Sequence, residues 1–151
     1  MKDTNRKKKI AVVYDSLYPY SNGGVEKRNF EITSRLRSHF DFHFFSIDYH
    51  DAESLEKDGA TYHGVIKGGG LYKNTSERSV FFALRFAIRL FFHLIKHRFD
   101  VVHCDSIPPL NVLICWFYSV VFRAKLVVTW HEVWPFSDWR RYLGSFIGFI
   151  V

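Results

Sequence analysis

The turn Ser21-Asn22-Gly23-Gly24 follows the apolar run Ile10 to Tyr14 and leads into Val25-Glu26-Lys27-Arg28. It has the composition of an anion-binding strand-to-helix junction. Such a junction aims free backbone N–H groups and the positive end of a helix dipole at one point, which suits a phosphate. Glycine serves there because a Cβ would block close backbone approach and because these turns often use left-handed dihedrals. A glycine pair at a strand-to-helix turn can equally be steric, so on its own the turn leaves both readings open.

Two further motifs carry chemistry-bearing side chains: His103-Cys104-Asp105-Ser106 and Thr129-Trp130-His131-Glu132. His131, just beyond a valine-rich stretch, can donate a hydrogen bond, act as a general base or ligate a metal. Val133-Trp134-Pro135 follows Glu132, so the zinc pattern HExxH is not formed. His103 is expected to face away from Asp105 and is read as a satisfied core residue or a support for one that touches ligand. Glu26 complements the helix dipole. Trp130, Trp134, Trp139 and Tyr142 surround His131 in sequence and serve either as packing or as a platform for an apolar ligand or a sugar ring. No Ser-His-Asp or Cys-His arrangement follows from spacing.

The elements that must position these groups alternate in type. Strands are expected at Ile10 to Asp15, Phe42 to Ile47, Ala60 to Ile66, Asp100 to Cys104 and Lys125 to Trp130. Helices are expected at Gly24 to His39, Ser79 to Arg98 and Leu110 to Phe122, the last started by Pro108-Pro109. In the first helix Val25, Ile32 and Leu36, with Phe40 beyond them, form the apolar face. In the second, the cations Arg85, Arg89, His93 and Lys96 make a narrow stripe, and the remaining apolar surface implies burial on more than one side. Gly68 to Gly70 reads as a turn. Strand–helix alternation predicts an α/β fold, a Rossmann-like, doubly wound, mostly parallel sheet with helices on both faces. Its functional groups gather at the C-terminal strand ends, where all three motifs converge.

Composition bounds the alternatives. At 151 residues and 48% hydrophobic the chain suits one core. We divide it into a basic segment, 1–9, and one domain, 10–151. Aromatic residues make up 19% of the chain, sixteen of them Phe, and call for a large aromatic core or an apolar partner. Cys104 and Cys115 lack CxxC spacing, so neither zinc site nor disulfide is indicated. The net charge of +6 admits phosphate-bearing ligands and anionic membranes. Nucleic-acid binding would rest on charge alone, and a dinucleotide oxidoreductase would lack GxGxxG, with Asp48 its only ribose ligand; neither is expected. No secretory signal or membrane span is read, and a cytoplasmic location is expected, with peripheral contact at the inner membrane face. The chain ends within an apolar run, Phe146 to Val151, from which we expect a longer protein.

Pro19 and the Gly23-Gly24-Val25-Glu26 turn, then Asp100-Val101-Val102-His103, then Val127-Val128-Thr129-Trp130-His131-Glu132 together resemble the N-terminal domain of family 4 glycosyltransferases, retaining enzymes of the two-domain GT-B class. The resemblance covers nearly the whole chain. It implies that Gly23 and Gly24 lie against donor diphosphate and acceptor, and that His131 sits beside the reacting sugar. Asp105 stands where the family frequently has a second histidine, and Asp105, Trp130 and Glu132 become acceptor-side residues. It implies a nucleotide-sugar donor, a glycan or lipid-linked acceptor, no cofactor and no metal. The nucleotide site is expected in a C-terminal domain, here absent, without which the chain is inactive. The alternative reading is a non-catalytic module that binds a phosphate-bearing ligand or partner protein.

Overall fold

The computed structural model describes residues 6–51, 54–67 and 80–131. Along the chain run β1 (Lys8–Val13), α1 (Gly24–Leu36), β2 (Phe40–Asp48), β3 (Ser54–Lys57), β4 (Ala60–Lys67), α2 (Val80–Ile95), β5 (Val101–Asp105), α3 (Pro109–Phe122) and β6 (Lys125–Thr129). One sheet holds all six strands in the order β3-β4-β2-β1-β5-β6. Every adjacent pair is parallel except β3 with β4. The expected α/β architecture is therefore present.

β3 is an addition to the expected elements. Ser54-Leu55-Glu56-Lys57 has little β-branched or aromatic content, and its strand state comes from the turn that follows. Asp58 (φ 53°) and Gly59 (φ 74°) occupy the two left-handed positions of a tight hairpin, which hands Lys57 back onto Ala60. Arg37 Nη1 donates to the Asp58 carbonyl at 2.7 Å and ties this edge to the end of α1.

Alternation along the strands makes two different faces. Ala11, Val13, Phe45, Val65, Val102 and Cys104 lie with Phe86, Leu90 and Leu94 of α2 and Cys115 and Tyr118 of α3 in the larger core. Val12, Phe42 and Phe44 form the smaller core, with Leu17, on the opposite face. There α1 contributes Phe30 and Thr33 against Phe44 and Tyr62. The buried residues of α1 are Glu26, Asn29 and Thr33, whereas Ile32 and Leu36 are exposed. The predicted apolar face is thus rotated outward, and the helix presents a polar stripe to the sheet. α2 differs too: Phe82, Phe86, Leu90 and Leu94 are buried on one side, but Phe81, Leu84, Ile88 and Phe92 are exposed, so it is not covered all round.

Sheet order sets where a ligand can enter. β1 leads to β2 on one side through α1, while the path from β4 through α2 returns to the other side of β1, at β5. The reversal lies between β1 and β5, and in sheets of this kind ligands bind in the crevice outside the C-terminal strand ends at that point. The Gly68 to Gly70 turn lies outside the described residues.

A layer of histidines stiffens the larger core. His43 Nδ1 and His63 Nε2 are 2.9 Å apart, their rings stacked, with His97 and Phe99 against them. One proton bridges the two nitrogens, and two would clash. Burial lowers the His43 pKa below its ordinary value of 6.5, outweighing the opposite pull of Asp41. A histidine whose folded pKa is depressed favours the folded state above its unfolded pKa, and that stability is lost as pH falls from there toward the folded value. Thermal melts from about pH 7.5 down to about pH 5 should show a falling Tm, with a shallower slope in His43→Phe, which keeps the stacking and removes the proton site. Equal slopes in the two proteins would show that His43 does not carry the pH dependence.

Candidate functional site

Asp105 closes β5 with only 2% of its surface exposed. An ionised carboxylate only accepts hydrogen bonds, and in such a place it needs donors on both oxygens. Asn29 Nδ2, from the polar stripe of α1, donates to Oδ2 at 2.8 Å. His131 Nε2, just past β6, lies 2.6 Å from Oδ1. The proton on that contact belongs to the imidazole, which leaves Nδ1 for a ligand. Asp105 pairs with Thr129 in the sheet, so the register between β5 and β6 places the carboxylate next to the histidine. The His131 side chain remains a quarter exposed while the carboxylate is covered. A buried acceptor holding a half-open imidazole can orient a group that exchanges hydrogen bonds or a proton with substrate.

His103, two residues before Asp105, lies on the same strand face and not on the opposite one, as the period of a strand requires. Its Nε2 is 2.8 Å from Thr129 Oγ1. Burial lowers its pKa, and Arg28 and His131 add to that against the pull of Asp105. The ring is neutral near pH 7 and braces Thr129, which fits the expected supporting role. Arg28 is thereby placed near the crevice as a cation one turn into α1.

The glycine turn borders the other side of the opening. Gly23 is the N-cap of α1 with φ −77° and ψ 165°, a conformation open to any residue, and no side chain caps the helix. The left-handed dihedrals expected for these glycines are not used. A Cβ at Gly23 would meet the Glu26 carboxylate, the end of a flexible side chain that would have to shift. That carboxylate is buried, folds back over the first turn and accepts from Ser21 Oγ at 2.7 Å. At Gly24 a Cβ would meet nothing within 4 Å. The open space at Gly24 leaves first-turn N–H groups reachable, while the Glu26 carboxylate already lies at that end of the helix dipole. Below the turn, Tyr14, Ser16, Tyr18, Glu26 and Asn29 line a small cleft.

The structure brings Asp105 and His131 together and sets Gly23 and Gly24 on the rim of the same strand-end edge. Trp130 is well exposed beside His131, free to meet a ligand face. Glu132, Trp134, Trp139 and Tyr142 lie outside the described residues. Two features were missed in the sequence. Asn29 is one; helical spacing from Glu26 was the available signal. The other is an aromatic pair beside the turn, Tyr20 stacked on Tyr49 with centroids 4.8 Å apart, and Tyr20 Oη 3.2 Å from His50 Nδ1. Among the described residues no group of three or more His, Cys, Asp or Glu is placed to hold a metal.

Comparison with known proteins places the fold. The family model described as Glycosyltransferase Family 4 matches residues 22–149. Among solved structures, sucrose-phosphate synthase from Thermosynechococcus elongatus superposes with a TM-score of 0.62 at 15% identity, over 83% of this chain and 33% of that one. A second structure of that enzyme from the same organism gives 0.54 at 16% identity, over 83% of this chain and 64% of the other. The chain therefore spans less than two thirds of either, and at these identities the likeness is one of fold. No curated protein sequence matches the chain.

The two glycines should respond differently to the same added methyl group. Gly23→Ala should cost about 1 kcal/mol, since the Glu26 side chain must swing away and lose its hydrogen bond from Ser21 Oγ. Gly24→Ala should change stability by less than about 1 kcal/mol, because the helix start gains a better former and nothing is touched. Denaturant midpoints of the two variants decide; equal destabilisation would contradict the open space at Gly24.

Proposed function

Because the chain belongs to glycosyltransferase family 4, we propose that its strand-end crevice is the acceptor side of a sugar-transfer site and holds part of the diphosphate of a nucleotide-sugar donor. The observation that carries this is the buried Asp105 carboxylate, held by Asn29 and holding His131 open to the crevice. In this reading Gly23 and Gly24 bring backbone N–H groups to the diphosphate, where charge grows as the sugar departs. His131 Nδ1 faces the reacting sugar, and Asp105 fixes the ring. Trp130 and Glu132 join the acceptor side, and the acceptor is a glycan or a lipid-linked one.

Transfer proceeds with retention. The acceptor hydroxyl attacks the anomeric carbon from the face that the diphosphate leaves. A carbon–oxygen bond forms, the bond to the phosphate breaks, and the hydroxyl proton passes to the departing phosphate oxygen. Donors already in place for that charge act in the transition state without reorganising. Neither a protein nucleophile nor a metal belongs to this scheme. The nucleotide and the remaining phosphate contacts are assigned to a second, C-terminal domain of the full-length enzyme.

Two measurements test this. In the full-length protein His131→Ala should lower kcat by about 10²-fold or more with little change in donor affinity, and Asp105→Asn should follow it, since the amide cannot accept from both partners. Gly24→Val should instead weaken binding and turnover together. A stably folded His131→Ala enzyme with near-normal kcat would end the assignment. The 151-residue chain alone should turn over no nucleotide sugar, and transfer by it would overturn the division between the two domains.

A further inference from the structure

α2 and α3 pack against one another and cover the larger core, yet both present apolar side chains outward. On α2, at about 100° per residue, Leu84, Ile95, Ile88, Phe81 and Phe92 fall within an arc of about 80°. Arg85, Lys96 and Arg89 occupy the next ~60°. All eight are exposed. The apolar arc continues toward α3 through Phe91, whose ring meets Phe117 at 5.7 Å. On α3, Leu113, Trp116, Val120 and Val121 are each more than half exposed.

Charge identifies what fits this face. Residues 80–99 and 106–131 contain no Asp or Glu, so each charge on the two helices and at their ends is a cation: Arg85, Arg89, Lys96, Arg98 and Arg123. Arg85 lies over the Phe81 ring at 5.7 Å, so the apolar and cationic strips are joined. A second copy of this face would bring cation against cation. An anionic lipid surface meets both strips at once: the cations engage headgroup phosphates, and the aromatic and aliphatic side chains enter the boundary beneath them. Trp116 has the amphipathic ring that settles at that depth. The sixteen residues of α2 reach about 24 Å, short of the ~30 Å hydrocarbon layer, and among the described residues no helix is long and apolar enough to cross a membrane.

We propose that the outer face of α2 and α3 docks the domain flat on an anionic membrane surface. The proposal rests on this face and not on the transferase reading, so either can fail without the other. It is tested by co-flotation of the full-length protein with phosphatidylcholine vesicles, with and without phosphatidylglycerol. Binding should need the anionic lipid and weaken as salt rises. Arg85→Glu with Arg89→Glu should reduce it at least about tenfold. Phe92→Ser with Trp116→Ser should abolish it, and circular dichroism checks that both pairs remain folded. Equal binding to neutral vesicles, no binding, or binding indifferent to both pairs of substitutions would overturn the proposal. So would a dimer, seen by sedimentation without vesicles, that the Phe92 and Trp116 substitutions dissociate while vesicle binding is absent.

Discussion

A carboxylate buried at the end of a strand is the constraint on which the site side of this molecule depends. Asp105 is almost wholly covered, and an unpaired charge in such a place costs several kcal/mol. Its two oxygens are satisfied by groups from opposite directions, Asn29 from α1 and His131 from beyond β6. Three elements are thereby pinned to one point. Removing either donor would leave charge buried and half paired, so the geometry of the imidazole is fixed by the same interaction that stabilises the strand end. Stability and chemical readiness are one arrangement here.

That constraint also explains the rotation of α1. A helix on a sheet normally buries its apolar stripe, and Ile32 and Leu36 would have supplied one. Instead Glu26, Asn29 and Thr33 face inward. Asn29 is required by Asp105, Thr33 satisfies itself on the Asn29 carbonyl at 2.7 Å, and Glu26 folds over the glycine turn. The helix gives up apolar burial for a polar face above the strand ends. The compensating core lies on the other side of the sheet, where Phe45, Phe86, Phe99 and Tyr118 gather. Tyr118 adds specificity, donating to the His97 carbonyl at 2.9 Å and accepting from the Phe99 N–H at 3.1 Å.

The two faces of the domain thus do different work. One carries polar groups at strand ends, the other carries a large core roofed by two helices that are still apolar outside. Phenylalanine serves both sides of that roof, Phe82 and Phe86 inside, Phe81 and Phe92 outside, and the rest of the core besides, through Phe42, Phe44, Phe45 and Phe99. An aromatic composition alone does not distinguish these uses, because periodicity reports that a helix has two apolar sides and not what each side meets.

The alternation of strands and helices, the glycine turn and the position of His131 after a valine-rich strand were all legible in the sequence, since each is written in local spacing. Resemblance in three short motifs was enough for the family. What the sequence could not express was contact between residues 26 and 76 positions apart. Asp105 meets His131 because β5 and β6 are neighbours in register, and it meets Asn29 because α1 lies on that face of the sheet. The strand Ser54–Lys57 depended on the Asp58-Gly59 turn and on an available edge at β4, not on its own weak propensity. Which side of α1 is buried was likewise decided by tertiary structure, because a single buried charge outweighed two exposed aliphatic side chains. Local chemistry determined the parts of this protein, and the sheet order decided which of them touch.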